Sequence, residues 1–177
     1  NTRIGRKSED SSQTIYGGSY NIPDDEYSSF LKMYSSFVFE CGQQEYLTEK
    51  QRDNAGPIAI DIDFRYKYEV CERIHTSEHI DDIVFLYLEK LKKMFQPTDD
   101  PFYIYVMEKD TVNRVKDDEN PAESLTKDGI HMIVGIQMDH TAQMILRDKI
   151  IKQIGDIWDL PLTNNWDKVL DEGISQG

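Results

Sequence analysis

A chain of 177 residues with 38% hydrophobic and 11% aromatic side chains is long enough for one domain, or one domain and a small appendage, around a real core. Its 20 Lys and Arg stand against 33 Asp and Glu, and the net charge of −13 opposes unaided, high-affinity binding of a polyanion; a nucleic-acid enzyme of this sign would have to lean on divalent cations, a local basic patch or the rest of a larger protein. Neither a signal peptide nor an apolar run long enough to cross a bilayer is found, so the sequence reads as a soluble protein with no membrane span.

Residues 1–20 carry Arg3, Arg6 and Lys7, then a Ser-rich stretch and Tyr16-Gly17-Gly18-Ser19-Tyr20, and either a frayed terminus or a basic contact segment fits them. From Pro23 a helix is predicted, because Pro suits a first turn and Asp24, Asp25 and Glu26 suit its positive end. Phe30, Leu31, Tyr34, Phe37 and Val38 follow at helical spacing, a face expected to be core. Residues 41–56 read as a loop ending at Gly56-Pro57, which divides an N-terminal module (1–55) from a core (56–177). Cys41 and Cys71 have no second ligand nearby and read as reduced core thiols in a cytosol-like compartment.

The stretch from Gly56 to Arg65 alternates strictly, so it is predicted to be a strand with Ile58, Ile60, Ile62 and Phe64 on a core face and Ala59, Asp61, Asp63 and Arg65 on the other. Thr76 or Ser77 then caps a helix whose Ile80, Ile83, Val84, Tyr87, Leu88, Leu91, Met94 and Phe95 recur at three- and four-residue steps, with Pro97 ending it. Phe102–Glu108 is a second strand. The charged residues 109–128 read as a mobile connection, either a lid or simply disordered. Gly129–Ile136 is a third strand, with Ile130, Met132, Val134 and Ile136 on one face and His131 on the other. Asp139 or Thr141 caps a helix carrying Leu146, Ile150, Ile151, Ile154, Ile157 and Trp158, and Lys168–Asp171 is read as a short last strand.

The order from residue 57 is therefore β-α-β-β-α-β, the split arrangement of ferredoxin-like and RNA-recognition-motif folds, and the expected class is α+β. In that topology both helices cover one face of the sheet. The other face gathers Asp61, Asp63, His131 and Asp171. Two Asp separated by one strand residue have Cα atoms about 6.6 Å apart, close enough for their carboxylates to lean over one or two cations. Three carboxylates and one His suit magnesium or manganese rather than structural zinc, and no zinc is expected here. Two such ions can activate a sugar hydroxyl while neutralising a triphosphate, and the His is placed to hold a phosphate oxygen. A phosphate-binding P-loop is absent from the sequence, and His75, His79 and His140 read as surface or capping residues.

At these positions the sequence resembles the archaeo-eukaryotic primases. That family's strand-borne Asp-x-Asp, small-x-His and late hydrophobic-Asp are matched in order by Asp61-Ile62-Asp63, Gly129-Ile130-His131 and Leu170-Asp171. The stretches IYGGSYNIPDDEY, GPIAIDIDFRY, KDGIHMIVGI and LPLTNNWDKVLDEGISQG are similar to the amino-terminal domain of primase-helicases of large nucleocytoplasmic DNA viruses. The resemblance implies primer synthesis on a single-stranded DNA template from nucleoside triphosphates, with Asp61, Asp63 and Asp171 holding two Mg2+ or Mn2+ ions and His131 contacting the incoming nucleotide. It also implies a fused carboxy-terminal superfamily 3 helicase, no membrane, and a place of work in the host cytoplasm at the site of viral replication. Arg65, on the parity of the Asp pair, and Lys127, just before the His strand, are candidates for triphosphate contacts or ordinary surface charges. Relatives are expected to continue past Gly177 with an aromatic and basic segment closing the nucleotide pocket, so the chain looks like a fragment. Two other readings are a non-catalytic single-strand-binding module stacking bases on Tyr103 and Tyr105, and an assembly domain of a replicative helicase.

Overall fold

The computed structural model describes residues 2–7, 12–48, 55–95 and 100–173. The chain divides into two compact units, Asn1–Gln51 and Arg52–Gly177. In the first, β1 (Thr2–Arg3) lies antiparallel between β4 (Gly18–Ser19) and β5 (Leu47–Thr48), while β2 (Arg6–Lys7) pairs with β3 (Thr14–Ile15). The amino-terminal basic residues are thus held in short ladders, and Arg3 makes a two-pronged contact with Glu45 at 2.7 and 2.6 Å. Helix α1 (Asp24–Ser35) starts after Pro23 with three acids in its first turn and runs into a π-helical turn, Ser36–Glu40.

The expected core face of this helix is not a core. No residue of α1 or of the π turn is buried: Phe30, Tyr34 and Val38 are half-buried, and Leu31 and Phe37 are exposed. Strands of two residues offer too little sheet to cover a helix. Cys41 and Cys71 are likewise exposed rather than core thiols, one just after the π turn and the other in a connection.

The second unit carries the core. Strand β6 (Gly56–Lys67) leads to α2 (Ser77–Met94), β7 (Ile104–Glu108), β8 (Asn113–Val115), a single 3-10 turn at Pro121–Glu123, β9 (Leu125–Met138), α3 (His140–Ile157) and the one-turn α4 (Trp166–Val169). β6 and β9 pair antiparallel along their lengths, and β7 and β8 follow one another along the far edge of β9. Strand alternation puts Ile58, Ile60, Ile62, Phe64 and Tyr66 of β6 with Ile130, Met132 and Val134 of β9 on one face, where Ile83, Tyr87 and Leu91 of α2 and Leu146, Ile150 and Ile154 of α3 cover them. This is the α+β arrangement expected, with both helices on one face. Thr76 and His79 form a capping box at the start of α2, in which the Thr76 N–H donates to His79 Nδ1 (3.1 Å), and Asp139 caps α3 by accepting from the Ala142 N–H (2.8 Å). None of the described helices is long and apolar enough to cross a membrane.

Two further expectations fail. Residues 109–128 are neither a free lid nor disordered: β8 pairs with the first residues of β9, Arg114 stacks over the Tyr68 ring at 4.1 Å, and Asp117 caps the turn by accepting from Asn120 N–H (2.8 Å). The predicted last strand, Lys168–Asp171, is a helical turn that Asn165 caps, followed by one antiparallel bridge from Leu170 to Ile62. Leu170 nevertheless lies beside β6, where the topology calls for a fourth strand. Pro97, proposed to end α2, lies outside the described residues.

Candidate active site

The open face of the sheet can be read as rows that cross the strands. Asp61 of β6 faces His131 of β9, which faces Met107 of β7. One step along, Asp63 faces Gly129, and one step further Arg65 faces Lys127. Five of the six residues singled out in the sequence therefore form two adjoining columns on one surface. Asp171 joins them by its backbone, donating its N–H to the Asp61 carbonyl at 3.0 Å. Its side chain is exposed and accepts from the Gly173 N–H at 3.2 Å.

The outer edge of β6 is held without a regular strand. The carbonyls of Asp61, Asp63 and Arg65 accept in turn from the Asp171 N–H (3.0 Å), the Asn164 side-chain amide (2.8 Å) and the Thr163 N–H (2.8 Å). Asn164 also accepts from the Arg65 N–H at 3.1 Å. Each residue that presents a charged side chain upward is thus pinned through its own backbone, which fixes the spacing of the two carboxylates.

Asp61 is the electrostatic centre. Its side chain is 19% exposed, and its Oδ1, 3.3 Å from His131 Nδ1, accepts no hydrogen bond from the described residues. Burial pushes its carboxyl above the usual range; the neighbouring charges of Asp63 and Asp171 add to this, while His131 and Lys109 pull it back. A buried oxygen without a donor, near two more carboxylates, is a surplus of negative charge that a hard divalent cation would relieve, and oxygen donors are the right chemistry for magnesium or manganese. Among the described residues, however, no three His, Cys, Asp or Glu side chains already converge as a ligand cluster. The donor set fits such an ion, and the fit rests on Asp61 and Asp63, with Asp171 close enough to be felt. A cavity of about 890 Å³ in the first unit, bordered by Phe30, Tyr34, Phe37, Arg3 and Glu45, contains none of these residues.

Comparison with known proteins bears on the same stretch. Residues 9–177 match the family model described as the C962R protein N-terminal AEP domain, AEP standing for archaeo-eukaryotic primase. The chain belongs to this AEP family. It is also 33% identical, over 163 residues, to a protein of Acanthamoeba polyphaga mimivirus named "Putative helicase L207/L206"; the alignment covers 89% of this chain and 16% of that protein. The chain therefore spans a small part of the relative's length. No solved structure matches.

Within this AEP domain the geometry gives a physical reason for the small residue two before the histidine. A Cβ on Gly129 would stand 2.7 Å from the Ile62 carbonyl oxygen, 3.5 Å from Lys109 Nζ and 3.7 Å from Asp63 Oδ1. Glycine thus lets β6 and β9 close up and leaves a gap between the lysine and the carboxylate. Lys109 went unnoticed in the sequence, as did Asn164. A third residue without a sequence signal is Arg147 of α3, buried, whose guanidinium donates to the Leu170 carbonyl (2.9 and 2.7 Å) and the Asp167 carbonyl (2.8 Å) and so holds the segment before Asp171. His75 is no surface residue either: it is buried against Phe64, with Nε2 2.8 Å from Glu108 Oε1 and Nδ1 3.4 Å from Asp128 Oδ2. Of the two other histidines read as surface or capping residues, His79 does cap α2 and His140 opens α3.

Proposed function

We propose that this AEP domain is the catalytic part of a viral primase-helicase, joining nucleotides into primers on single-stranded DNA during replication of a viral genome in the host cytoplasm. The observation that carries the reading is the shared face on which Asp61, Asp63 and His131 meet the Arg65–Lys127 pair. In this reading Asp61, Asp63 and Asp171 hold Mg2+ or Mn2+. When bound, those ions supply activation of a primer hydroxyl and neutralisation of the triphosphate. Asp61 and Asp63 act as rigid anchors, since the backbone of each is tied to the segment beyond α3. His131 holds a phosphate oxygen, its Nδ1 standing 3.3 Å from Asp61 Oδ1. Arg65 and Lys127 stand directly opposite each other, an arrangement that costs stability on a bare sheet and that an anionic triphosphate would reverse. The name of the mimiviral relative, a putative helicase, supports fusion to a helicase; the reading takes this to be of superfamily 3 and to supply the cationic surface that a chain of net charge −13 lacks.

A second reading has its own observation. Tyr103 and Tyr105 are 74% and 57% exposed with ring centroids 6.1 Å apart, and the register puts Tyr105 on the face that carries His131. Stacked bases on these rings would make the domain a non-catalytic single-strand-binding or assembly module. The experiment that decides is incubation of the domain with single-stranded DNA, ribo- or deoxyribonucleoside triphosphates and Mn2+, followed by separation of dinucleotide products. The catalytic reading predicts products that vanish for Asp61→Ala/Asp63→Ala. Strand binding that ignores both metal and the Asp pair, without products, would favour the second.

A further inference from the structure

The buried side of the sheet carries a polar cluster that no step above uses. Asp128, fully buried on β9, accepts from Arg73 Nε and Nη2 (3.0 and 3.2 Å) and from the Gly129 N–H (2.9 Å). Arg73 also meets Glu108 at 3.2 Å, and His75 meets the same carboxylate at 2.8 Å. A further Arg73 N–H donates to the backbone carbonyl of Lys109. One arginine thus ties the end of β7 to β9 at Asp128, on the far side of the sheet from the acidic face. Removing Arg73 would leave the buried Asp128 carboxylate without its charged partner, so this arginine is held firmly in place.

Its consequence lies on the open face. In the β7–β9 register Glu108 faces Ile130, so the next step sets Lys109 against Gly129, which itself faces Asp63. Lys109 continues the parity of Tyr105 and Met107, and its ammonium borders the gap that the missing Cβ leaves, as does Asp63 Oδ1. A cation fixed by its backbone, half-buried, in the row of a metal-suited carboxylate and one row from the Arg65–Lys127 pair is built for a phosphate chain.

We propose that Lys109 is a substrate-binding residue of this site, its ammonium contacting the triphosphate of the incoming nucleotide from just past the end of β7. The inference rests on the nucleotidyl-transfer reading and adds a third strand to the set of residues that bind. Its test is calorimetric titration of inorganic triphosphate into the Mn2+-loaded chain for the wild type, Lys109→Ala, Lys109→Arg and Lys109→Met, with melting curves as the check on folding and Mn2+ alone as a parallel titration. Loss of a hydrogen bond to a charged group predicts at least roughly tenfold weaker triphosphate binding for Lys109→Ala and Lys109→Met, with Lys109→Arg close to wild type and the affinity for Mn2+ alone not weakened. Equal triphosphate affinity in all four proteins, or an effect confined to Mn2+, would overturn the role of Lys109 and leave the Asp-based reading standing. Failure of the wild type to bind triphosphate at all would overturn both.

Discussion

Gly129 shows how much of the site depends on one side chain that is not there. The Ile62 carbonyl lies 2.7 Å from where its Cβ would be, and backbone cannot swing aside as a side-chain tip can. Gly129→Ala is expected to lower stability by about 1–3 kcal/mol, the usual cost of overpacking, as read by urea unfolding; an unchanged midpoint would mean that the two strands part freely. Arg3 and Glu45 make a separate prediction in the first unit. The guanidinium beside Glu45 holds its carboxyl below the ordinary range, so its contribution is complete above the value of an unfolded glutamate and is lost as pH falls through the lowered one. Since Arg3 is about a third exposed, Glu45→Gln should cost only about 1 kcal/mol at neutral pH. That deficit should disappear in acid, where the wild type is protonated too. Amide signals of the first unit followed by NMR through urea at both pH values would check it, and a deficit that persists in acid would point to shape rather than charge.

Among the elements, the strands and long helices were legible and the short ones were not. Alternation along β6 and β9 assigned Ile58 to Phe64 and Ile130 to Ile136 to the helix side, and Asp61, Asp63 and His131 to the other, because one buried face forces a period of two. Thr76 and Asp139 announced their helices for local reasons, each offering an oxygen at a helix start. The segment Lys168–Asp171 carries too few residues for either period to emerge, and the cap at Asn165 decides it as a helical turn. Residues 109–128 looked unstructured because their order comes from partners distant in sequence, Tyr68 for Arg114 and the start of β9 for β8. For the same reason His75, Lys109 and Arg147 gave no signal. Arg147→Met is expected to leave the buried carbonyl of Leu170 without its donor, at a cost of about 1–3 kcal/mol, and to speed hydrogen exchange at the Asp171 amide that binds Asp61. Unchanged exchange there would show that the bridge to Ile62 suffices by itself.

At the scale of the whole chain, charge is the governing fact. A net −13 cannot hold DNA or a nucleotide by counter-ion release, so a functional site on this molecule must be made by cations that it collects and by the few basic residues grouped on one face. In the proposed reading Arg65, Lys109 and Lys127 are such a group, and Asp61, Asp63 and Asp171 would collect the cations. The −13 was in the composition from the start, whereas the gathering of the bases needed the three-strand register. The most direct measurement is therefore calorimetric titration of a nucleoside triphosphate with and without Mn2+, for the wild type and for Asp61→Ala/Asp63→Ala. Binding that requires Mn2+ and is lost in the double variant is the predicted result. Binding of equal strength in both proteins, or without the metal, would contradict the assignment of this face as a metal-dependent nucleotide site.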